Sequence, residues 1–290
     1  MSECKNLSVV DPLSPERILA DVVAYRGHYS RAIGLDAPPL TARAPAKVGS
    51  RRSPPRKQVT PDKVLQAFNT WAFKRGHPTE PLLMLQIIAE AIALEAPIQF
   101  VLYWGKGPRS AIGRPDIECL DFLASFASRV REAFEPGAAI KLIFTDTHAE
   151  LNGHPPAGTR GYFGDIETAA GRRGFDTCRL SELTRAAEAV AAGDPIGDDM
   201  PEHVAQRLVA GAKRWYRGEE SAEHGALKYY RMNMIEKRAV ELAFPRAIFI
   251  TFSGSHLRCL LPARLPIFYM YSMRRGTSVK PWFLAVESAP

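Results

Sequence analysis

Apolar residues recur at helical spacing along most of the chain, and short unbroken apolar runs separate these stretches. Thr60-Pro61-Asp62 is a helix start signal, and Val64, Leu65, Phe68, Trp71 and Phe73 follow it as the apolar positions of a helix that should stop near Gly76-His77-Pro78. Leu82 to Leu94 reads as a mostly buried helix. Pro97 then introduces IQFVLYW, a β-branched and aromatic run bounded by Pro and Gly, which suits a strand buried on both faces. Pro115-Asp116 opens a helix with Ile117, Leu120, Leu123, Ala124, Ala127, Val130 and Phe134 at helical period, and Glu135-Pro136-Gly137 ends it. The run Ala139 to Thr145 is the next strand. Strand, helix and strand together form a βαβ unit, which implies parallel pairing.

Four helices are expected after that: Tyr162 to Arg172, Ser181 to Ala192 with Ser181 as N-cap, Pro201 to Tyr216, and Ser221 to Phe244. The alternating charges around Tyr229, Tyr230, Arg231 and Glu236 read as the solvated face of the last one. Strands resume at Arg246 to Phe252, Leu265 to Tyr271 and Trp282 to Val286. The pattern is that of an α/β protein with a largely parallel sheet flanked by helices, a helical insertion and an antiparallel finish.

The first 58 residues differ in kind. A short helix from Ser14 to Tyr25 precedes a Pro-, Ser- and Arg-rich linker, so the chain divides into an N-terminal segment, 1–58, and an α/β catalytic domain, 59–290. Net charge changes the picture only here. Arg43, Lys47, Arg51, Arg52, Arg56 and Lys57 supply +6 of the formal +7, so the basic signal belongs to the linker and not to a folded surface.

A hydrophobic share of 46% and a charged share of 24% exclude collagen-like, coiled-coil and wholly disordered classes. The most apolar segment, Leu82 to Trp104, is broken by Glu90, Glu95 and Pro97, so no transmembrane helix is expected. The N-terminus shows neither a secretory nor a mitochondrial presequence, and Cys4, Cys119, Cys178 and Cys259 are too scattered for a disulfide framework. Both features point to the cytoplasm.

Ligands of open α/β sheets bind beyond the carboxyl ends of the strands, which makes the strand exits the shortlist for chemistry. After the first strand comes Trp104-Gly105-Lys106-Gly107-Pro108-Arg109, with Arg114 and Asp116 close behind; Lys106 and Arg109 suit a phosphate or carboxylate. Neither a Walker loop nor a dinucleotide-binding glycine fingerprint is present. After the second strand comes TDTHAELNGH. With the strand continued, Asp146 and His148 point the same way, giving an Asp-oriented imidazole for acid/base work, while Asn152 can bond a substrate or form a turn with Gly153. A metal is disfavoured, because this pair supplies at most two ligands. The third exit, FSGSHLR, places Ser253, Ser255, His256 and Arg258 on the same rim, and Lys280-Pro281-Trp282-Phe283 is a weaker fourth segment.

In order, PIQFVLYWGKGPRSAIGRPDIECLDFL, FEPGAAIKLIFTDTHAELNG, a Glu-bearing late helix, LPIFYMY and KPWF resemble the pyoverdine/dityrosine-biosynthesis family, the isonitrile (isocyanide) synthases. The likeness spans Pro97 to Trp282. It implies a Rossmann-like fold and secondary metabolism in which an amino-acid amine condenses with the ketone of ribulose 5-phosphate, with no metal or nucleotide cofactor. Lys106 matches the family's loop lysine, Asp116 its helix-starting aspartate, Asp146 its strand-end aspartate and Trp282 its closing tryptophan. The chain departs from the family at Lys106-Gly107-Pro108-Arg109, at Asp146-Thr147-His148 and at Pro281-Trp282-Phe283. The expected site therefore has His148, Asp146 and Lys106 as catalytic groups, and Arg109, Arg114, Asp116, Asn152, His256, Arg258 and Trp282 as binding groups. The competing readings are another amino-acid-modifying transferase and a nucleic-acid-binding arm at 43–57; the absence of interleaved basic and aromatic residues in the folded part argues against the second.

Overall fold

The computed structural model of the 290-residue chain describes residues 59–105, 111–152, 156–190, 200–252 and 255–270. The expected helix and linker within 1–58 and the expected strand Trp282 to Val286 lie outside them. In chain order the elements are α1 (Pro61–Phe68), α2 (Pro81–Ala93), β1 (Ile98–Trp104), α3 (Arg114–Ala133), β2 (Ala138–Phe144), α4 (Asp146–Leu151), α5 (Pro156–Gly171), β3 (Asp176–Arg179), α6 (Leu180–Val190), α7 (Glu202–Trp215), α8 (Ala222–Ala243), β4 (Ile248–Thr251), a 3-10 turn (Ser255–Leu260) and β5 (Ile267–Tyr269).

The five strands form one sheet in the order β3-β2-β1-β4-β5, and every pairing is parallel. This is a Rossmann-like α/β fold. β1 lies at its centre, flanked by β2, which leads outward to β3, and by β4, which leads outward to β5. The chain thus reverses its direction of travel between β1 and β4, and this is the point at which such sheets open a ligand crevice. The antiparallel finish expected from the sequence is reduced, among the described residues, to a single bridge between Lys74 and Met270 beyond the end of β5.

Alternation along the strands divides the core into two layers. Phe100, Leu102, Trp104, Phe144, Ile250 and Phe268 face α1, α2, α3 and α5, whereas Val101, Tyr103, Ile143, Phe249 and Ile267 face α6, α7 and α8. In the first layer Phe126 of α3 is an aromatic hub, with ring centroids of Phe100, Phe68, Phe73 and Phe268 at 5.0, 5.4, 5.5 and 5.7 Å. Each such pair adds about 0.5–1.5 kcal/mol to the area it buries.

Three expectations are corrected. α1 ends at Phe68 and not near Gly76, because Lys74 and Arg75 leave helical geometry to pair with the edge of β5. The stretch from Tyr162 to Phe244 is not purely helical: β3 pairs Asp176 to Arg179 with Lys141 to Phe144. Its sequence, Asp-Thr-Cys-Arg, has no apolar run because it is a short, partly exposed edge strand. Lastly, β2 stops before Asp146 as expected, but the chain does not stay extended to bring Asp146 and His148 to one side; it turns into α4.

Candidate functional site

At the exits of β1 and β2 a Cβ on Gly105 would collide with Thr145 Oγ1, so a larger residue there requires the Thr145 side chain to shift. Beneath these exits, three fully or almost fully buried polar groups are chained together. Trp104 Nε1 donates to Tyr162 Oη (3.1 Å), Tyr162 Oη donates to Asp116 Oδ1 (3.0 Å), and Asp116 Oδ2 accepts from the Gly113 N–H (2.9 Å). Asp116 thus caps α3 while tying it through α5 to the last residue of β1.

On the opposite face of the sheet lies a second buried polar cluster. His148 Nε2 is 2.9 Å from a Glu236 carboxylate oxygen, and Thr147 Oγ1 donates to Glu236 Oε1 at 2.6 Å. The Tyr229 ring meets the imidazole edge-on, with centroids 5.1 Å apart. Asn233 Nδ2 donates to Tyr229 O one turn back. Burial pushes the hydroxyls of Tyr103 and Tyr229 well above the ordinary tyrosine range, and the charge of Glu236 pushes both further. With Glu236 accepting, the imidazole proton sits on Nε2, an arrangement of base and orienting carboxylate suited to proton transfer.

The geometry overturns the expected Asp146–His148 pairing. On α4 residues two apart do not share a face. Asp146 turns to α6, where its carboxylate accepts from Ser181 N–H (3.1 Å) and Ser181 Oγ (2.5 Å). It holds the start of that helix, the role expected of Ser181. Glu236 orients His148 in its place, so the reading of Tyr229 and Glu236 as a solvated face is also corrected: both are fully buried. The signal was present. Ala226, Tyr229, Asn233, Glu236 and Val240 share one face of α8 with apolar residues at both ends, so the polar middle had to be buried with them.

The other expected binding groups are dispersed. Arg114 is an exposed partner of Glu118 at 2.7 Å. Asn152 closes α4 by donating to His148 O at 2.8 Å. Arg258 Nη1 donates to Pro262 O at 2.8 Å and its Nη2 to Ala263 O at 3.3 Å, which ties it to the turn after the 3-10 helix. His256 falls in that 3-10 turn, with its side chain outside the described residues, as are Lys106, Arg109, Ser253, Trp282 and the loop segments that carry them. Cys119 packs in the core. Among the described residues no group of three or more His, Cys, Asp or Glu side chains converges as a metal site would, and no helix is long and apolar enough to cross a membrane.

No family model and no curated protein sequence matches the chain. Solved structures do. The crystal structure of the PvcA protein from Pseudomonas aeruginosa aligns with a TM-score of 0.58 at 20% identity, over 77% of this chain and 87% of that one. This chain has a PvcA-like fold. PvcA is a pyoverdine/isonitrile synthase-family protein, the group that the sequence resembles. Tyrosyl-tRNA synthetases complexed with L-tyrosine also align: that of Pyrococcus horikoshii (12% identity, 76% of this chain, 58% of that chain, TM-score 0.43) and that of Archaeoglobus fulgidus (14%, 76%, 66%, 0.39). Likenesses this loose carry no weight for function.

Proposed function

We propose that this chain is an isonitrile-synthase-like biosynthetic enzyme that joins the amine of an amino acid to the ketone of ribulose 5-phosphate. The PvcA-like fold, over most of both chains, is the observation that carries this reading. It is supported by the motif order from Pro97 to Trp282 and by a histidine–carboxylate pair at the carboxyl edge of the sheet.

The first steps need a proton carrier. The amino-acid ammonium must lose a proton before its nitrogen attacks the ketone carbon, and the resulting carbinolamine must gain one on its hydroxyl to leave as water. His148 performs both transfers, with Glu236 stabilising the imidazolium between them. Thr147 holds the second oxygen of Glu236, so the carboxylate cannot turn away. Lys106 and Arg109 on the β1 exit supply charge for the phosphate, and residues 59–290 form the catalytic unit.

Purified protein incubated with the twenty amino acids and ribulose 5-phosphate, then analysed by mass spectrometry, tests the proposal. An amino-acid-derived product one carbon heavier and two hydrogens lighter, lost in Lys106→Ala and His148→Ala, is the expected result. A folded protein that gives no such product sinks the assignment, and a product of another mass would favour a different amino-acid-modifying transferase.

A further inference from the structure

Parallel register lines up the last residues of three neighbouring strands. Trp104 of β1 pairs with Phe144 of β2, and Phe144 pairs with Arg179 of β3, so the three side chains stand in a row on one face of the sheet at its carboxyl end. Trp104 and Phe144 belong to the first core layer, and Phe163 of α5 stacks on Phe144 with ring centroids 4.8 Å apart. Arg179 extends this row with a charge. Its guanidinium carbon lies 5.9 Å from the Phe144 centroid and 5.8 Å from the Phe163 centroid, within cation–π reach of both rings.

Among the described residues no carboxylate pairs with the Arg179 guanidinium and no acceptor takes its N–H groups. The acids of this strand exit are engaged elsewhere. Asp176 pairs with Lys141, Glu182 faces the Arg179 backbone N–H at 3.5 Å, and Asp146 accepts from Ser181. Arg179 is partly buried, so its charge is neither fully hydrated nor neutralised. A guanidinium held against two aromatic rings, with five N–H donors unclaimed, at the carboxyl end of a parallel sheet, is suited to an anionic ligand.

We propose that Arg179 binds the α-carboxylate of the amino-acid substrate. This rests on the amino-acid reading above and gives the acid end of that substrate a place in the fold, apart from the phosphate charges at the β1 exit. One guanidinium presents a flat fork of N–H donors and a single positive charge, which matches a planar, singly charged carboxylate better than a phosphate monoester of about −1.5 to −2. β3 lies beside β2, so Arg179 and α4, which carries His148, leave from adjacent strand ends. The consequence is selectivity: amino acids are accepted and amines that lack the free acid group are not.

Calorimetric titration of the full chain with each of the twenty amino acids, and with the methyl ester of each one that binds, tests it. An amino acid that binds saturably, and about tenfold or more tighter than its methyl ester, is expected. Arg179→Gln should weaken the free acid about tenfold or more and leave the ester unchanged, because only the acid carries the group that Arg179 grips. Absence of amino-acid binding to the parent would overturn the assignment. So would an equal loss for acid and ester in the variant, which is what a purely structural role would give. Should Arg179→Gln fail to fold by circular dichroism, Arg179→Lys carries the comparison, with a smaller loss still confined to the free acid. The two proposals fail separately. Carboxylate-dependent binding through Arg179, without isonitrile product, keeps the subsite and refutes the reaction. Product formation with an unchanged KM for the amino acid in Arg179→Gln keeps the reaction and refutes the subsite.

Discussion

Replacing Tyr162 by Phe removes one oxygen from a buried chain of three side chains and leaves the shape of the core unchanged. That oxygen donates to the Asp116 carboxylate and accepts from the Trp104 indole, and each of the three residues is no more than 2% exposed. A hydrogen bond to a charged group contributes about 1.5–3 kcal/mol, and a buried donor left unsatisfied costs about 1–3 kcal/mol, so Tyr162→Phe should lose about 2.5–6 kcal/mol. With a urea m-value of about 2–3 kcal/mol/M for a domain this size, the unfolding midpoint should fall by about 1–3 M. Equilibrium unfolding followed by far-ultraviolet circular dichroism measures it. A fall of less than about 0.3 M with an unchanged m-value would refute the reasoning, since the hydroxyl would then not be a structural link between β1 and α3.

Glu236→Gln should lower activity by about 10²–10⁴-fold while Asp146→Asn retains far more, because the first forces the imidazole proton off Nε2 and the second only weakens the start of α6; equal losses in the product assay would contradict this assignment. Gly105→Ala should destabilise the chain, and Thr145→Gly in the same molecule should restore most of the loss, since the colliding atom is Thr145 Oγ1; thermal unfolding of both variants decides it. Burial pushes the Cys178 thiol up from 9.0 to about 11. The unfolded chain therefore ionises first, so the contribution of this neutral thiol is whole below pH 9.0 and is lost as pH rises through about 11. Denaturant titrations across that window should show a shallower decline for Cys178→Ala than for the parent. Removing residues 1–58 should leave product formation intact, whereas a nucleic-acid-binding arm would make that segment indispensable.

The hydrophobic pattern carried most of the scaffold. β1, α3 and β2 are long, strongly periodic and sharply bounded by Pro and Gly, so the βαβ unit was legible from Pro97 to Phe144. β3 was not, because four polar residues on an edge have no alternation to show. The second strand exit was right in place and wrong in geometry. Asp-Thr-His carries no local sign that the chain coils at once into α4, and that single change of period sends Asp146 to Ser181 and His148 to Glu236. Lys74 and Arg75 did not stand out for a different reason: their position depends on β5, far along the sequence, and no local window contains that pairing.

The pairing of that early stretch with β5 also bears on when the molecule becomes whole. Ile267 reaches Thr79 across 188 positions and Arg75 reaches Phe252 across 177, so the outer sheet edge is a seam between the start and the finish of the described fold. Contacts this distant along the chain form late and slowly, after the central βαβ unit can already have condensed. A ribosome-bound chain still lacking β5 would hold a nearly complete hydrophobic centre with Lys74 and Arg75 unanchored. Stitching the seam is then the step that closes the outer edge of the sheet and turns a folded intermediate into the finished fold.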